Sequence, residues 1–332
     1  MIELLLLAAL VGIVVGAELF TNGLEHIGAR WQLSQGVTGS IFAAVATALP
    51  EATVPVVSML SQGSVTVRQQ VATGAILGAP LMLSTLALFL TAAAAVVSRG
   101  FGAQLQPERS GLVRDLRWFL TGFSLSTLAT FVPEHARLLR GLIACTLIGC
   151  YLLYVRATLQ ASRGLVAAGQ GTEAQKPLYS TSVGLGTRTL AMTVQLLVGF
   201  ALVIGGTQAF IRGIEHFAHR WPPLVLSLLV IPIATELPEK VNSILWIRRG
   251  GHDTLAFGNI TGALVFQGTL LPALGVWLTP WTVRPDVLFS MGLTLIAVAY
   301  LWVLARRGPL RPYHLVVNGL CYVAYLVAMS HA

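Results

Sequence analysis

Ala46-Thr47-Ala48-Leu49-Pro50-Glu51 returns 188 residues later as Ala234-Thr235-Glu236-Leu237-Pro238-Glu239, each time inside a long apolar stretch. A proline within a helix has no N–H to donate and crowds the carbonyl four residues back. Pro50 is therefore expected to free the carbonyl of Ala46, and Pro238 that of Ala234. A glutamate follows each proline, and a carboxylate in a membrane segment is costly enough that it usually serves a function. Thr47 and Thr235 stand four residues before Glu51 and Glu239. In a helix that spacing sets hydroxyl and carboxylate on one face.

The surroundings of these motifs fix the class. Of 332 residues, 55% are hydrophobic and 10% charged, against about 25% charged in a soluble domain. The mean hydropathy is +0.76. A bilayer-spanning helix needs about 20 mostly apolar residues. Ten segments qualify: 2–24, 36–60, 70–97, 117–133, 138–158, 187–212, 223–247, 254–278, 286–305 and 312–330. The expected fold is an all-α membrane protein, with its second and seventh helices broken at Leu-Pro-Glu.

The net charge of +8 does not point to nucleic acid, because the basic residues lie scattered between apolar runs. They read as topology signal and lipid headgroup contact. About 14 of the 21 Lys and Arg fall in the loops after odd-numbered segments and about 6 in the others, which sets the first group in the cytoplasm. Both termini are then expected outside, in a multi-pass protein of the cell (inner) membrane. Met1–Phe20 lacks a basic start and recurs later in the chain, so it reads as a retained first helix. Cys145, Cys150 and Cys321 lie in apolar segments and match neither a metal-site spacing nor a disulfide framework.

The repeat extends beyond the motif. Gly16-Ala-Glu-Leu-Phe20-Thr-Asn-Gly23-Leu-Glu25-His26 resembles Gly206-Thr-Gln-Ala-Phe210-Ile-Arg-Gly213-Ile-Glu215-His216 at an offset of 190, and Thr73-Gly74-Ala75 matches Thr261-Gly262-Ala263. Residues 1–158 form a first five-helix unit, 159–186 a cytoplasmic linker and 187–332 a second unit. With five helices each, the halves enter the membrane from opposite faces, an inverted repeat of the kind secondary transporters use.

Two carboxylates, two hydroxyls and two freed carbonyls make a set of hard oxygen ligands, suited to Ca2+ or Na+. Cys and His are absent from it, which argues against zinc or copper. Glu236 and Lys240 are spaced for a helical ion pair. Either the pair is structural, or the Lys240 ammonium stands where a cation would otherwise be bound. Glu18, with Gln208 as its repeat counterpart, either lines an ion path or reaches the interface. Glu25-His26 and Glu215-His216 read as solvated loop edges. Thr73, Thr261 and Asn259 are second-rank polar lining. Gly12/Gly16 and Gly258/Gly262 read as close-packing pairs.

At these motifs the chain resembles the cation/calcium exchanger superfamily, in its sodium/calcium exchanger membrane region. The paired Thr-x-Leu-Pro-Glu motifs carry the resemblance, with Gly258-Asn259-Ile-Thr-Gly262 as a weaker second signature and Arg114-Asp115 also covered. The resemblance implies that Glu51 and Glu239 are the central cation ligands, helped by oxygens of Thr47 and Thr235. Ala48 and Glu236 stand where the family has Ser, Ala75 and Ala263 replace a second Ser, and Ala79 replaces Asn. Gln267 stands where the family has Asn or Asp.

The function expected is a secondary cation antiporter exchanging Ca2+, or a similar cation, for Na+ or H+ by alternating access, without an organic cofactor. Its partners are inorganic cations and the lipid bilayer, and a monomer is sufficient. A proton-coupled or monovalent-cation exchanger is the alternative, which the thinned ligand set favours. An intramembrane enzyme finds no His-Glu-x-x-His, Gly-x-Ser-x-Gly or Gly-x-Gly-Asp motif here. A non-transporting scaffold or sensor would not need both glutamates.

Overall fold

The computed structural model describes residues 2–48, 52, 55–56, 65–174, 176–184, 189–218, 236–281 and 284–330. Among them the chain is helical throughout, with two isolated β-bridges and no strand. We label the long helices in chain order. α1 is Ile2–Arg30. α2 runs Gln35–Val37, then Thr38–Ala43 in π form, then Ala44–Thr47. α3 joins Val65–Met82, a π turn at Leu83–Ala87 and Leu88–Arg99. α4 is Arg109–Leu128, α5 Arg137–Ala167 and α6 Thr189–Ala218. α7 is Leu237–Arg249, α8 Asp253–Leu278, α9 Pro285–Arg307 and α10 Val316–Ser330. Among the described residues, seven stretches of helix are long and apolar enough to cross a membrane.

Local chemistry sets the ends. α4 begins at Arg109, eight residues earlier than expected, because the Glu108 carboxylate accepts from the backbone N–H of Ser110 and Gly111 at 2.7 and 2.6 Å. That cap lets a charged first turn be helical, which an apolar window overlooks. α5 likewise runs on to Ala167, past the 158 expected from its apolar stretch. α9 opens on Pro285 and Asp286 and closes on Arg306 and Arg307, each at the end where the helix dipole favours it. α7 closes on Arg248 and Arg249, and Gly250 and Gly251 turn the chain at φ 75° and 73°, a region open to glycine. The π turn of α3 follows Pro80, and Asn318 of α10 donates to the Ser84 carbonyl within it at 2.8 Å.

α8 is the hub. It packs against α2, α3, α4, α5 and α7 and is buried over most of its length. Large apolar side chains such as Leu138, Leu142, Leu152, Leu197, Ile296 and Leu320 point outward instead, the distribution of a bundle whose outer surface meets lipid.

α1 and α6 make the most extensive helix pair. A Cβ added at Gly16 would stand 2.8 Å from the Gly199 carbonyl oxygen, and one at Gly206 3.0 Å from that of Ala9. The close contacts thus run 16 with 199 and 9 with 206, so the two helices are antiparallel. The repeat offset of 190 turns each contact into the other. Gly12, by contrast, has open space beside it.

The loops after odd-numbered helices meet at one end. Gln35 N–H donates to Gln170 O, Thr172 N–H to Leu33 O and Leu105 N–H to Leu310 O. Arg99 grips Asp253 at 2.6 and 3.0 Å. At the opposite end the buried Arg140 guanidinium donates to the carbonyls of Val276, Thr279 and Pro280 at 2.9, 2.6 and 2.9 Å. It caps the C-terminus of α8, where cations are favoured. Arg140→Ala would strand those carbonyls, at a cost of about 2–4 kcal/mol. The expected outcome is a lower melting temperature in detergent, only partly recovered by Arg140→Lys, which lacks the fork.

Candidate functional site

The second Leu-Pro-Glu motif opens α7. Glu236 occupies the position before the helix, and Pro238 lies in the first turn, where its missing N–H has no helical partner to lose. The structure therefore has Pro238 starting a helix within the described residues. Leu49, Pro50, Glu51, Ala234 and Thr235 lie outside them, and with them the expected release of the Ala234 carbonyl. Ala46 is half-buried near the end of α2.

One backbone bond recurs in both halves. Ala52 N–H donates to Ala48 O at 3.3 Å, and Lys240 N–H to Glu236 O at 3.3 Å. At the motif offset of 188 these are equivalent residues. The same turn thus carries two alanines in one half and a charged pair in the other.

Glu239, Asn242 and Ser243 share a face of α7 by their i, i+3, i+4 spacing, and all three are fully buried. Asn259 of α8 joins them, donating to Glu239 O and to Ser243 Oγ at 3.2 Å each. Its Oδ1 accepts from the Thr47 hydroxyl at 3.3 Å, and that hydroxyl also bonds Ala43 O at 2.9 Å. Thr47 thereby brings the first motif to the second, and it also neighbours the Glu239 carboxylate. Among the described residues, neither carboxylate oxygen of Glu239 has a hydrogen-bond partner, nor does either polar atom of the Asn242 amide. Buried polar groups are almost always paired, so this cluster has the form of a site that receives something.

Lys240 Nζ lies 3.5 Å from Glu236 Oε2, with the two side chains 5% and 0% exposed. Gln267 of α8, fully buried, neighbours Glu236. Thr47, Glu236, Glu239, Lys240 and Gln267 are thus gathered at the junction of α2, α7 and α8, with Asn259. Asn242 and Ser243 were missed in the sequence, although their spacing from Glu239 could have revealed them.

Glu18 is elsewhere. Its carboxylate meets Arg249 at 2.6 Å, Lys176 at 3.0 Å and the Tyr179 hydroxyl at 2.5 Å. Arg249 lies ten residues along α7 from Glu239, about 15 Å by helical rise. Glu25, expected at a solvated loop edge, is fully buried. α1 continues to Arg30 and lies against α7, so Glu25 accepts from Trp246 Nε1 at 2.8 Å and Arg249 at 2.7 Å. The side chains of Glu215 and His216 lie outside the described residues. Outside the membrane segments, burial and the Arg249 charge push the His252 imidazole down to about 4, so it is neutral at physiological pH.

Thr261 also points away from the central group. It and Ser40 donate to Asp115 Oδ2 at 2.8 and 2.7 Å, where α2, α4 and α8 meet. Gly258 and Gly262 make that approach possible. A Cβ at Gly262 would stand 2.5 Å from Ser40 Cα and 2.6 Å from its carbonyl carbon.

This bundle, with a buried carboxylate at the meeting of two related motifs, has known relatives. The family described as sodium/calcium exchanger protein matches residues 2–159 and 191–330. The chain belongs to the sodium/calcium exchanger family. Among curated proteins, it is 28% identical over 208 residues to a putative antiporter, CaxA, of Alkalimonas amylolytica, covering 56% of this chain and 64% of that one. It is 30% identical over 101 residues to inner membrane protein YrbG of Escherichia coli K12, covering 30% and 31%. The matches thus span less than two thirds of the length of these relatives. In fold, the chain superimposes on the sodium-calcium exchanger NCX_Mj soaked with 2.5 mM Na+ and 10 mM Sr2+ with a TM-score of 0.75, covering 98% and 99% of the two chains at 17% identity. The same exchanger soaked with zero Na+ and Ca2+ gives 0.70 at 17% identity. The family is one of membrane transporters that exchange cations, and not of enzymes.

Proposed function

We propose that this protein is a secondary cation antiporter, exchanging Ca2+ or a similar cation for Na+ or H+ by alternating access at a site centred on Glu51 and Glu239. The observation that carries this reading is the Glu239 carboxylate, fully buried between helices with both oxygens unpartnered among the described residues. A carboxylate so placed needs a cation or a proton. Thr47, Thr235 and the carbonyls of Ala46 and Ala234 would complete an oxygen shell. The two five-helix halves would form an inverted repeat, which the antiparallel, mutually exchanging contacts of α1 and α6 support. Both termini would lie outside an inner membrane, with the loops that meet at one end, and the 159–186 linker, in the cytoplasm.

A second reading, a proton-coupled or monovalent-cation exchanger, is favoured by one observation. Gln267 offers a neutral amide, and Ala75, Ala79 and Ala263 offer no side-chain oxygen at all. Such a shell is weaker for a divalent ion.

Flux in proteoliposomes tests both. Uptake of Ca2+, Na+, K+ or Mg2+ would be followed with and without an opposing Na+ or H+ gradient. Uptake that requires the opposing gradient is expected, and the gradient that drives it distinguishes the two readings. Uptake indifferent to every opposing gradient would overturn exchange.

A further inference from the structure

We infer that the Lys240 ammonium is a tethered cation of the exchange site, standing beside Glu236 where a mobile monovalent cation would otherwise be recruited. The inference rests on the exchange reading above and deepens it.

Three observations lead here. First, the backbone turn that carries Glu236 and Lys240 has the same hydrogen bond, at 3.3 Å, as the turn carrying Ala48 and Ala52. Alanines are sufficient to build that turn, so forming it does not call for an ion pair. Second, the pair is inside the bundle and not at its surface, with Lys240 4% exposed and Glu236 fully buried. Third, the pair is not tightly locked. The 3.5 Å approach is an ion pair longer than an ordinary charged hydrogen bond, and among the described residues Lys240 Nζ, both Glu236 oxygens, both Glu239 oxygens and both polar atoms of Gln267 find no hydrogen-bond partner. A buried pair that served stability alone would need excellent geometry and satisfied donors to offset its desolvation. This ammonium instead stands 3.5 Å off the Glu236 carboxylate, on the residue next to Glu239, as a cation held by both would.

The charge balance makes this testable. Glu51, Glu236 and Glu239 with Lys240 carry −2, matched by one divalent or two monovalent ions. Lys240→Ala leaves −3, Glu236→Gln leaves −1, and the double variant Glu236→Gln/Lys240→Met returns to −2 with little change of volume. The test is the coupling ratio of the full-length protein in proteoliposomes, read as the reversal potential of exchange and the Hill coefficient for Na+. We expect Lys240→Ala to gain about one monovalent cation per cycle, with a Hill coefficient higher by about one. Glu236→Gln should lose about one charge per cycle, and the double variant should regain the wild-type ratio. Should Lys240→Ala fail to fold, Glu236→Gln and the double variant carry the same test. A wild-type coupling ratio in all folded variants would overturn the inference and leave a structural ion pair. Glu239→Gln separates the two failures. Full flux in that variant removes the exchange site itself, whereas lost flux with an unchanged ratio in the others removes only the tethered cation.

Discussion

Glu239→Gln is expected to leave a folded protein that no longer exchanges cations at a useful rate. The substitution keeps shape and volume while removing the charge. It also removes the cost of an uncompensated carboxylate in the bundle, so thermal stability in detergent should hold or rise. A desolvated cation that loses a charged ligand loses about 3 kcal/mol or more, and each 1.4 kcal/mol is a factor of ten. Flux at sub-saturating cation should therefore fall by about a hundredfold or more. The Asn259 contact to Glu239 is to its backbone carbonyl, so the α7–α8 junction persists in the variant and the loss can be assigned to the carboxylate. Isotope flux beside a melting curve would check both halves of the expectation. A variant that melts early would instead mean that Glu239 is structural.

Gly262→Ala is expected to have the largest effect on folding. The new methyl group would collide with the Ser40 backbone, not with a side chain able to turn aside. Relief requires α2 to move away from α8. That movement would break the Ser40 and Thr261 hydrogen bonds to Asp115 and disturb Thr47, which reaches Asn259 from the same helix. Overpacking of this kind costs about 3 kcal/mol or more. The melting temperature should fall by about 5–10 °C, with reduced yield of monodisperse protein. Gly12→Ala serves as the control, since nothing lies within 4 Å of its added Cβ, and it should be neutral or slightly stabilising.

The all-helical membrane class was legible in the sequence because it rests on a strong physical constraint, and the repeated motif stands out there as a pattern of residues. Lipid enforces long apolar runs, and a proline beside a glutamate is conspicuous within one. Less legible were groups that face inward from a helix whose other side is apolar. Glu25 looked solvated because the apolar run around it ends nearby, yet α1 continues and Arg249 and Trp246 cover its carboxylate. The start of α4 carries no apolar signal because its first turn is charged, although Glu108 supplies the cap. Asn242 and Ser243 were overlooked because they are short and neutral. Only their register with Glu239 gives them away.

The central claim is that two equivalent glutamates, one from each half, hold the exchanged cation. Glu239 is the one described in place, whereas Glu51 lies outside the described residues and is assigned through the repeat and the family resemblance. The most direct measurement is therefore proteoliposome flux of Glu51→Gln beside Glu239→Gln and wild type, at matched protein content and with folding verified by melting curves. Loss of gradient-dependent flux in both variants, to a comparable degree, is the expected result. Normal exchange by a folded Glu51→Gln would contradict it.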